Sequence, residues 1–598
     1  MRPYDNMEEY SMDYTQARNY LNSLSGKGSV FGLERMRSLL SLLGNPQDEL
    51  KFIHIAGTNG KGSVLAYIST ILTGAGYKTG RYISPTLFSY RERIQVNERE
   101  IDKDSLAVHV TVIADAIEKM QNCPTIFEVE TALSFLYFKE KQCDIVVLET
   151  GLGGREDATN VISTSVMEII TSVSMDHTAV LGDTLEKIAS EKAGIIKPGT
   201  VVVSAAQHQD AESVIKETCR RENCTLHIVD TDSINNISYG YERQSFSYRS
   251  WKNAEISLAG SYQIKNAALA LEAVEALREI GFSISDRQVY DGLFKTKWRG
   301  RFTPIQKNPV VIMDGAHNPA AAEELKRSLE LYFSGKKLYY VFGMFRDKDY
   351  KKVIEITAPL AEHIITTETK ENLRAMPAKA LAEEVAGVNP SVEYEENVEQ
   401  AVSKALGLSG KDDIVIIFGS LSFLGEAQKA VEKYKKMSCS MERADKIYRN
   451  EQWKSYVKQI QKLEKERIFC CHDTSHFLDV ARLAYIENLE RNLKISKELI
   501  YAAALLHDIG RHLEYTQGIP HDKGSAMLAG DILRECGFDQ QEQEEIISAI
   551  ELHRSAETSE KDNLAGLIYR ADKKSRPCMF CKAREQCNWS DEKKNLKL

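Results

Sequence analysis

Two stretches of this chain concentrate side chains that could do chemistry, and they suit different kinds. The first opens with Gly57-Thr58-Asn59-Gly60-Lys61-Gly62-Ser63. Glycines let a backbone approach phosphate closely, a helix opening there offers aligned N–H donors, and a lysine adds a mobile positive charge. The pattern departs from the commonest phosphate loop: Ile55 stands where the first glycine would be, and Gly62 separates Lys61 from Ser63. The simpler alternative is a strand-to-helix turn with a solvated lysine. Further on, Glu149-Thr150-Gly151-Leu152-Gly153-Gly154-Arg155-Glu156-Asp157-Ala158-Thr159-Asn160 follows an apolar run. An acid at such a strand end offers the hard oxygen that Mg²⁺ prefers. Asp176-His177 closes another run, and SEKAGIIKPG occupies 190–199. Taken singly, Gly153-Gly154 could be a tight turn and His177 a satisfied core histidine.

The second stretch carries His476, His507-Asp508, His521, His553 and Asp572 on apolar helical patterns. Imidazoles and carboxylates from separate helices can share a metal; singly they would cap helices or sit satisfied in a core. Cys578, Cys581 and Cys587 follow as C-x2-C-x5-C. Three thiolates want a fourth ligand, which Cys470, Cys471 or His472 could supply. His472 and His476 are one helical turn apart, so His472 could instead join the histidine cluster. Three free thiols in a tail are the bland alternative, against a structural Zn²⁺ or an Fe–S cluster.

The elements that must position these groups are legible as patterns. Apolar runs at 51–56, 143–151, 166–177, 310–319, 337–345 and 412–420 alternate with helical patterns, the first helix starting near Ser63. Such alternation predicts parallel sheets covered on both faces, with ligands at the carboxyl ends of strands. Near residue 438 the character changes. Segment 440–466 has no Pro or Gly and reads as one helix, either a joint or the first helix of an all-helical domain. Helical patterns continue through 475–492, 496–509, 524–536 and 543–553 with no convincing strand.

Taken in order, GTNGKGS, ETGLGGREDATN, DHTAVLGDTLEKIASEKAGIIKPG, WRGRF (298–302) and DGAHNP (314–319) resemble folylpolyglutamate synthase / dihydrofolate synthase, a family of Mur-ligase-like ATP-dependent amide ligases, over about residues 10–437. The resemblance implies an α/β fold: a P-loop ATP-binding domain (1–300) and a Rossmann-like domain (301–437), with the active site between them. It implies that Gly57 to Ser63 hold the ATP phosphates, with Lys61 at the β/γ end. Ser84, Glu149 and His177 would ligate Mg²⁺, and Lys192 matches a lysine that is carbamylated to serve a second Mg²⁺. Asn266, Arg301 and Asp314 would contact nucleotide, with His317 beside them. Phe127-Glu128 and Glu156-Asp157-Ala158 fall where the pterin-bearing substrate lies. Ser84-Pro85-Thr86-Leu87 departs from the family, which would have His in the third position. The implied substrates are ATP, L-glutamate, and a folate or dihydropteroate.

The helical part resembles the HD-domain metal-dependent phosphohydrolases over about 467–575, with 438–466 as linker or first helix. Within that superfamily it looks most like hydrolases of the diadenosine tetraphosphate type. Four His and two Asp would suit two Fe or Mn ions. The alternative keeps the ligase and makes the helical part a nucleotide-binding regulatory module.

Composition bounds these readings. The chain has 598 residues and a formal charge of −9, with 86 acids against 77 bases. That argues against a general nucleic-acid or membrane-surface binder. No apolar run reaches the roughly 18 residues a membrane span needs, and the acidic, aromatic N-terminus has no secretory h-region. Eleven scattered cysteines suit a reducing cytoplasm. Nothing in the composition forces an oligomer, so a monomer is expected.

Overall fold

The computed structural model describes residues 11–27, 32–370, 372–439, 441–576, 578–587, 589–591 and 594–596. The first ten residues, where a secretory signal would begin, lie outside the described residues. The chain forms two compact units, residues 1–431 and 432–598. Among the described residues, no helix is long and apolar enough to cross a membrane.

The first unit is built on strands β1 (Phe52–Ala56), β2 (Thr79–Tyr82), β3 (Ile94–Val96), β4 (Arg99–Glu100), β5 (Ile145–Glu149), β6 (Met167–Ile170), β7 (Val201–Ser204) and β8 (Thr225–Ile228). They form one sheet in the order β4-β3-β2-β5-β1-β6-β7-β8. β2, β5, β1, β6, β7 and β8 run parallel, whereas β3 and β4 are antiparallel additions at one edge. Every residue of β1 and β5 is buried, as a sheet covered on both faces demands. Ile55 pairs with Glu149, and Ala56 with Ile170. The loops after these three neighbouring strands therefore leave the sheet side by side. The helix Lys61–Gly74 is apolar on all sides and packs inside the core, so it holds the loop that precedes it rigidly.

The sequence reading needs correction in three places. The run 166–177 is strand only to Ile170. Beyond it, Ser172 and Ser174 bond the loop after β1 instead of a neighbouring strand: Ser172 O accepts from Thr58 N at 2.8 Å, and Thr58 Oγ1 donates to Ser174 O at 3.0 Å. Second, the sheets are not purely parallel. β9 (Ile234–Ser238), β10 (Gln244–Tyr248) and β11 (Trp251–Ile256) form a separate antiparallel sheet. Its inner residues Phe246, Tyr248, Trp251, Ala254 and Ile256 are buried in the same core as the helix Gln263–Glu279. Third, 440–466 is not one helix. Asn450 ends Glu442–Arg449 and caps Glu451–Leu463, its side chain accepting from the N–H groups of Gln452 and Trp453.

A six-stranded sheet completes the first unit: β12 (Thr303–Lys307), β13 (Val310–Asp314), β14 (Leu338–Gly343), β15 (His363–Thr366), β16 (Val392–Tyr394) and β17 (Ile414–Gly419). Its order is β12-β13-β17-β14-β15-β16, parallel except for β12. The second unit contains only helices among its described residues. Ile447, Trp453 and Val457 of its first two helices join one core with Phe477, Ile500, Leu506, Ile532 and Ile568.

Candidate functional site

Gly57 to Ser63 wrap from the end of β1 to the first turn of the helix Lys61–Gly74. The helix begins two residues earlier than the pattern suggested, with Gly60 as its N-cap at φ 92°, a left-handed conformation that suits glycine. Gly62 is needed for space: a Cβ there would stand 2.4 Å from the Trp298 ring. The loop lines a cavity of about 480 Å³ together with Ser84, Glu149, His177, Lys192, Asn266, Arg301, Asp314 and His317. Residues from four strand ends and from both large sheets thus meet in one place.

Two lysines of this cavity share one backbone carbonyl. The Lys61 Nζ donates to the carbonyls of Gly57 at 3.1 Å and Thr58 at 3.4 Å. Lys192 is 4 % exposed and donates to the same Gly57 carbonyl at 2.9 Å. Burial, reinforced by the nearby Lys61 charge, pulls the Lys192 ammonium down to about 7. Burial pushes the Glu149 carboxyl up, opposed by Lys61 and Arg301, while the Ser84 backbone N–H bonds it. Asp314, at the end of β13, accepts from Phe302 N at 2.7 Å, Tyr262 OH at 3.0 Å and Ala316 N at 2.7 Å. Arg301 lies beside it and opposes the upward push of burial on its carboxyl.

Two residues that sequence reasoning did not single out, Lys348 and Asn318, hold Asp176 and His177 of the cavity lining. Lys348 Nζ lies 2.8 Å from Asp176 Oδ1 and 3.0 Å from His177 Nε2. Asn318 donates to Asp176 at 3.0 Å and exchanges bonds with Asn59. Burial would raise the Asp176 carboxyl, but the Lys348 ammonium holds it well below the usual range. His177 is lowered by burial and by Lys348, and His317 is pushed down to about 4 by the same two causes.

The five residues expected at the pterin do not line this cavity. Glu128 closes a capping box with Thr125 and pairs with Arg35 at 3.2 Å. Asp157 pins the glycine-rich turn, accepting from Leu152 N at 2.8 Å and from Thr159. Glu156 is exposed and Ala158 buried. Phe127 packs against Gly151 at the cavity's edge.

In the second unit all six expected ligands converge on Asp508, which is 1 % exposed. Its Oδ2 faces His476 Nε2 at 3.7 Å and His507 Nε2 at 3.5 Å. Its Oδ1 faces His521 Nε2 at 3.4 Å and His553 Nε2 at 3.6 Å. Asp572 Oδ1 lies 3.6 Å from His476 and 4.0 Å from His507. Two ligand sets result, His476-His507-Asp508-Asp572 and Asp508-His521-His553, sharing one carboxylate. The outer nitrogens are tethered: His507 Nδ1 to the Ala504 carbonyl at 2.7 Å, His553 Nδ1 to that of Ile550, and His521 Nδ1 to Glu514 at 2.6 Å. A carbonyl partner requires Nδ1 to carry the proton, which leaves the Nε2 lone pair facing inward. His476 Nε2, His507 Nε2 and Asp508 Oδ1 are buried without a hydrogen-bond partner. Burial pushes His507 down to about 3, which favours its neutral form. Donors of this kind fit divalent metal.

Arg511 and His472 border the cluster. Arg511 Nε lies 3.0 Å from Asp508, and His472 Nε2 lies 3.6 Å from it while its Nδ1 bonds Glu464 at 2.7 Å. Cys578, Cys581 and Cys587 line an adjoining pocket together with Cys470, His472 and Arg511.

A phosphate loop at the end of a parallel strand, facing a second α/β sheet across one cavity, defines a P-loop ligase of the Mur type. Family models agree: the Mur ligase middle domain matches residues 55–274, the Mur ligase glutamate ligase domain 300–421, and the HD domain 474–576. The dihydrofolate synthase/folylpolyglutamate synthase of Bacillus subtilis is 35% identical over 434 residues, covering 70% of this chain and 99% of the relative. The Mycobacterium tuberculosis folylpolyglutamate synthase complexed with ADP and AMPPCP superposes with a TM-score of 0.64 at 29% identity, covering 71% of this chain and 99% of that one. Escherichia coli FolC in complex with DHPP and ADP gives the same TM-score, identity and coverage. The chain belongs to the folylpolyglutamate synthase/dihydrofolate synthase family, with an HD domain at its C-terminal end.

Proposed function

We propose that the first unit joins L-glutamate to the γ-carboxylate of a reduced folate at the expense of ATP, with dihydropteroate as a second acceptor to be tested. A free carboxylate is a poor acyl donor. Transfer of the γ-phosphoryl group of ATP to a carboxylate oxygen gives an acyl phosphate and ADP. The glutamate nitrogen then attacks the acyl carbon, and phosphate leaves. The observation that carries this reading is the convergence of Gly57–Ser63, Glu149, Lys192 and Arg301 on one cavity. Backbone N–H groups of the loop and Lys61 would hold the phosphates. Arg301, Asn266, Asp314 and His317 would flank the nucleotide. Mg²⁺, held by Ser84, Glu149 and His177, would offset charge on the transferring phosphoryl group. The His177 role requires Lys348 to move off its Nε2. The Lys192 amine could add CO₂ and lose a proton, which turns a cation into an anionic ligand for a second Mg²⁺.

The second unit is proposed to hydrolyse a phosphate ester or anhydride. Two Fe or Mn ions, one on each ligand set around Asp508, would lower the pKa of water and polarise a phosphoryl oxygen. The chain's own groups would hold these ions, and Arg511 would meet phosphate charge. The three tail cysteines would bind Zn²⁺ or an Fe–S cluster. Residues 1–300 and 301–437 would be the two ligase domains, 438–466 the linker or first helical segment, and 467–598 the hydrolase with its cysteine-rich tail, working as a cytoplasmic monomer. ATP-dependent glutamate incorporation on tetrahydrofolate and dihydropteroate tests the ligase. Lys61→Ala should lower it by at least about 10³-fold; near-normal turnover defeats the assignment. A phosphatase screen of the full chain with Mn²⁺ or Fe²⁺ tests the hydrolase, with His507→Ala expected to be inactive.

A further inference from the structure

Cys578, Cys581 and Cys587 of the tail and Cys470, more than a hundred residues earlier, line one pocket of about 350 Å³ in the helical unit. Cys578 is buried and the other three are half-buried, all as free thiols. Cys471, the alternative fourth ligand, is exposed and does not line the pocket. His472, the other alternative, also lines the pocket, but both its ring nitrogens are engaged elsewhere, Nε2 facing Asp508 at 3.6 Å and Nδ1 bonding Glu464 at 2.7 Å. That selects Cys470.

Spacing then separates one metal from several. Zinc bonded to four thiolates at about 2.3 Å in a tetrahedron holds their sulfurs about 3.8 Å apart. Among the described residues, the groups with three or more ligand atoms within 4.8 Å of one another are the two around Asp508. No three of the sulfurs of Cys470, Cys578, Cys581 and Cys587 lie within 4.8 Å of one another, although all four residues line the cavity. A polynuclear cluster keeps its thiolates apart because each binds a different iron and bridging sulfides fill the middle. The wall has the matching charge: Arg467, Arg576, Arg584 and Lys594 line it. Such a surface suits a cluster carrying four thiolates and a net negative charge, and it would raise the cluster's potential.

Resting on the thiolate-metal reading of the tail, we infer that Cys470, Cys578, Cys581 and Cys587 ligate an iron–sulfur cluster beside the phosphohydrolase centre. The link between the two is short. Arg576 bonds Asp572 at 3.3 Å from one side of the cluster pocket, and Cys470 lies two residues before His472.

The test uses the full chain purified without oxygen, with iron, zinc and acid-labile sulfide measured per chain. Stoichiometric sulfide and a visible absorption that dithionite bleaches are expected, and sulfide distinguishes the cluster from iron at the histidines. Cys581→Ser and Cys470→Ser should lose most of the sulfide, whereas Cys471→Ser and Asp508→Asn should keep it; unchanged glutamate ligation confirms folding of the first unit. One zinc per chain without sulfide, lost in Cys581→Ser, overturns the cluster and leaves a thiolate metal site. No thiol-dependent metal, with all four thiols titrating freely, overturns both.

Discussion

The cavity around Lys61 and the cluster around Asp508 solve opposite electrostatic problems. In the first, backbone does most of the positioning: two lysines lean on the single carbonyl of Gly57, and the loop's shape depends on glycine. In the second, side chains do it: four imidazoles are tethered or turned outward so that their Nε2 atoms converge on one carboxylate. The first arrangement suits an anionic ligand that bonds to N–H groups, the second a cation that takes lone pairs. The difference predicts where each site is fragile. The side-chain site should fail when one ligand is removed. The backbone site should also fail when nothing polar is removed but a methyl group is added.

The largest effect should come from Asp508→Ala. This carboxylate is common to both ligand sets. Its loss should abolish bound metal at the histidines and lower phosphate-ester hydrolysis by at least about 10³-fold, while glutamate ligation stays within about twofold of the parent. Metal analysis beside both assays checks it; retention of two equivalents of metal would show that the histidines suffice.

Next comes Lys192, which tests the electrostatic price of the backbone site. Its folded value of about 7 lies below the ordinary 10.5. The unfolded chain therefore binds more protons between those values, so stability rises with pH across that window and the penalty is full below it. Lys192→Met should be inactive as a ligase. In bicarbonate-free buffer it should be more stable than the parent near pH 7 by up to a few kcal/mol, and the gain should vanish towards pH 10. Parallel melting curves for the two proteins across that range would remove the claim.

A third, smaller effect probes the tethering. Glu514 fixes His521 through Nδ1. Glu514→Ala should weaken the second metal about 10–100-fold and leave the first in place. Loss of both metals together in a titration would mean that the two sets are not separable.

How much of this was legible follows the same divide. Buried parallel strands such as β1 and β5 announce themselves as unbroken apolar runs. The antiparallel sheet β9–β11 did not, because polar residues such as Ser245, Ser247 and Lys252 interrupt it; the alternation Phe246, Tyr248 was the available signal. The histidine cluster was readable from residue type and helical setting. Glu514 was not, since an acid on a helix usually faces solvent. Lys348 was hidden because its partner Asp176 is 172 residues away. Glu128 also closes the capping box of Thr125-Ile126-Phe127-Glu128, a pattern legible in the sequence.

The smallest change sharpens the comparison most. Gly62→Ala removes no donor, no charge and no ligand, and in a free helix alanine would be favoured by about 1 kcal/mol. Here the added carbon would meet the Trp298 ring at 2.4 Å, so the ring or the helix start must shift. Overpacking of this kind costs about 1–3 kcal/mol. Because the loop's N–H groups are aimed by that helix start, the shift should appear in ATP binding as a KM raised about tenfold or more, with the histidine cluster untouched. Pairing the substitution with Trp298→Leu makes room for the methyl group and should recover part of the loss. If the double variant binds ATP no better than Gly62→Ala, the contact with Trp298 is not what requires glycine, and the phosphate site depends on its side chains as much as the metal site does.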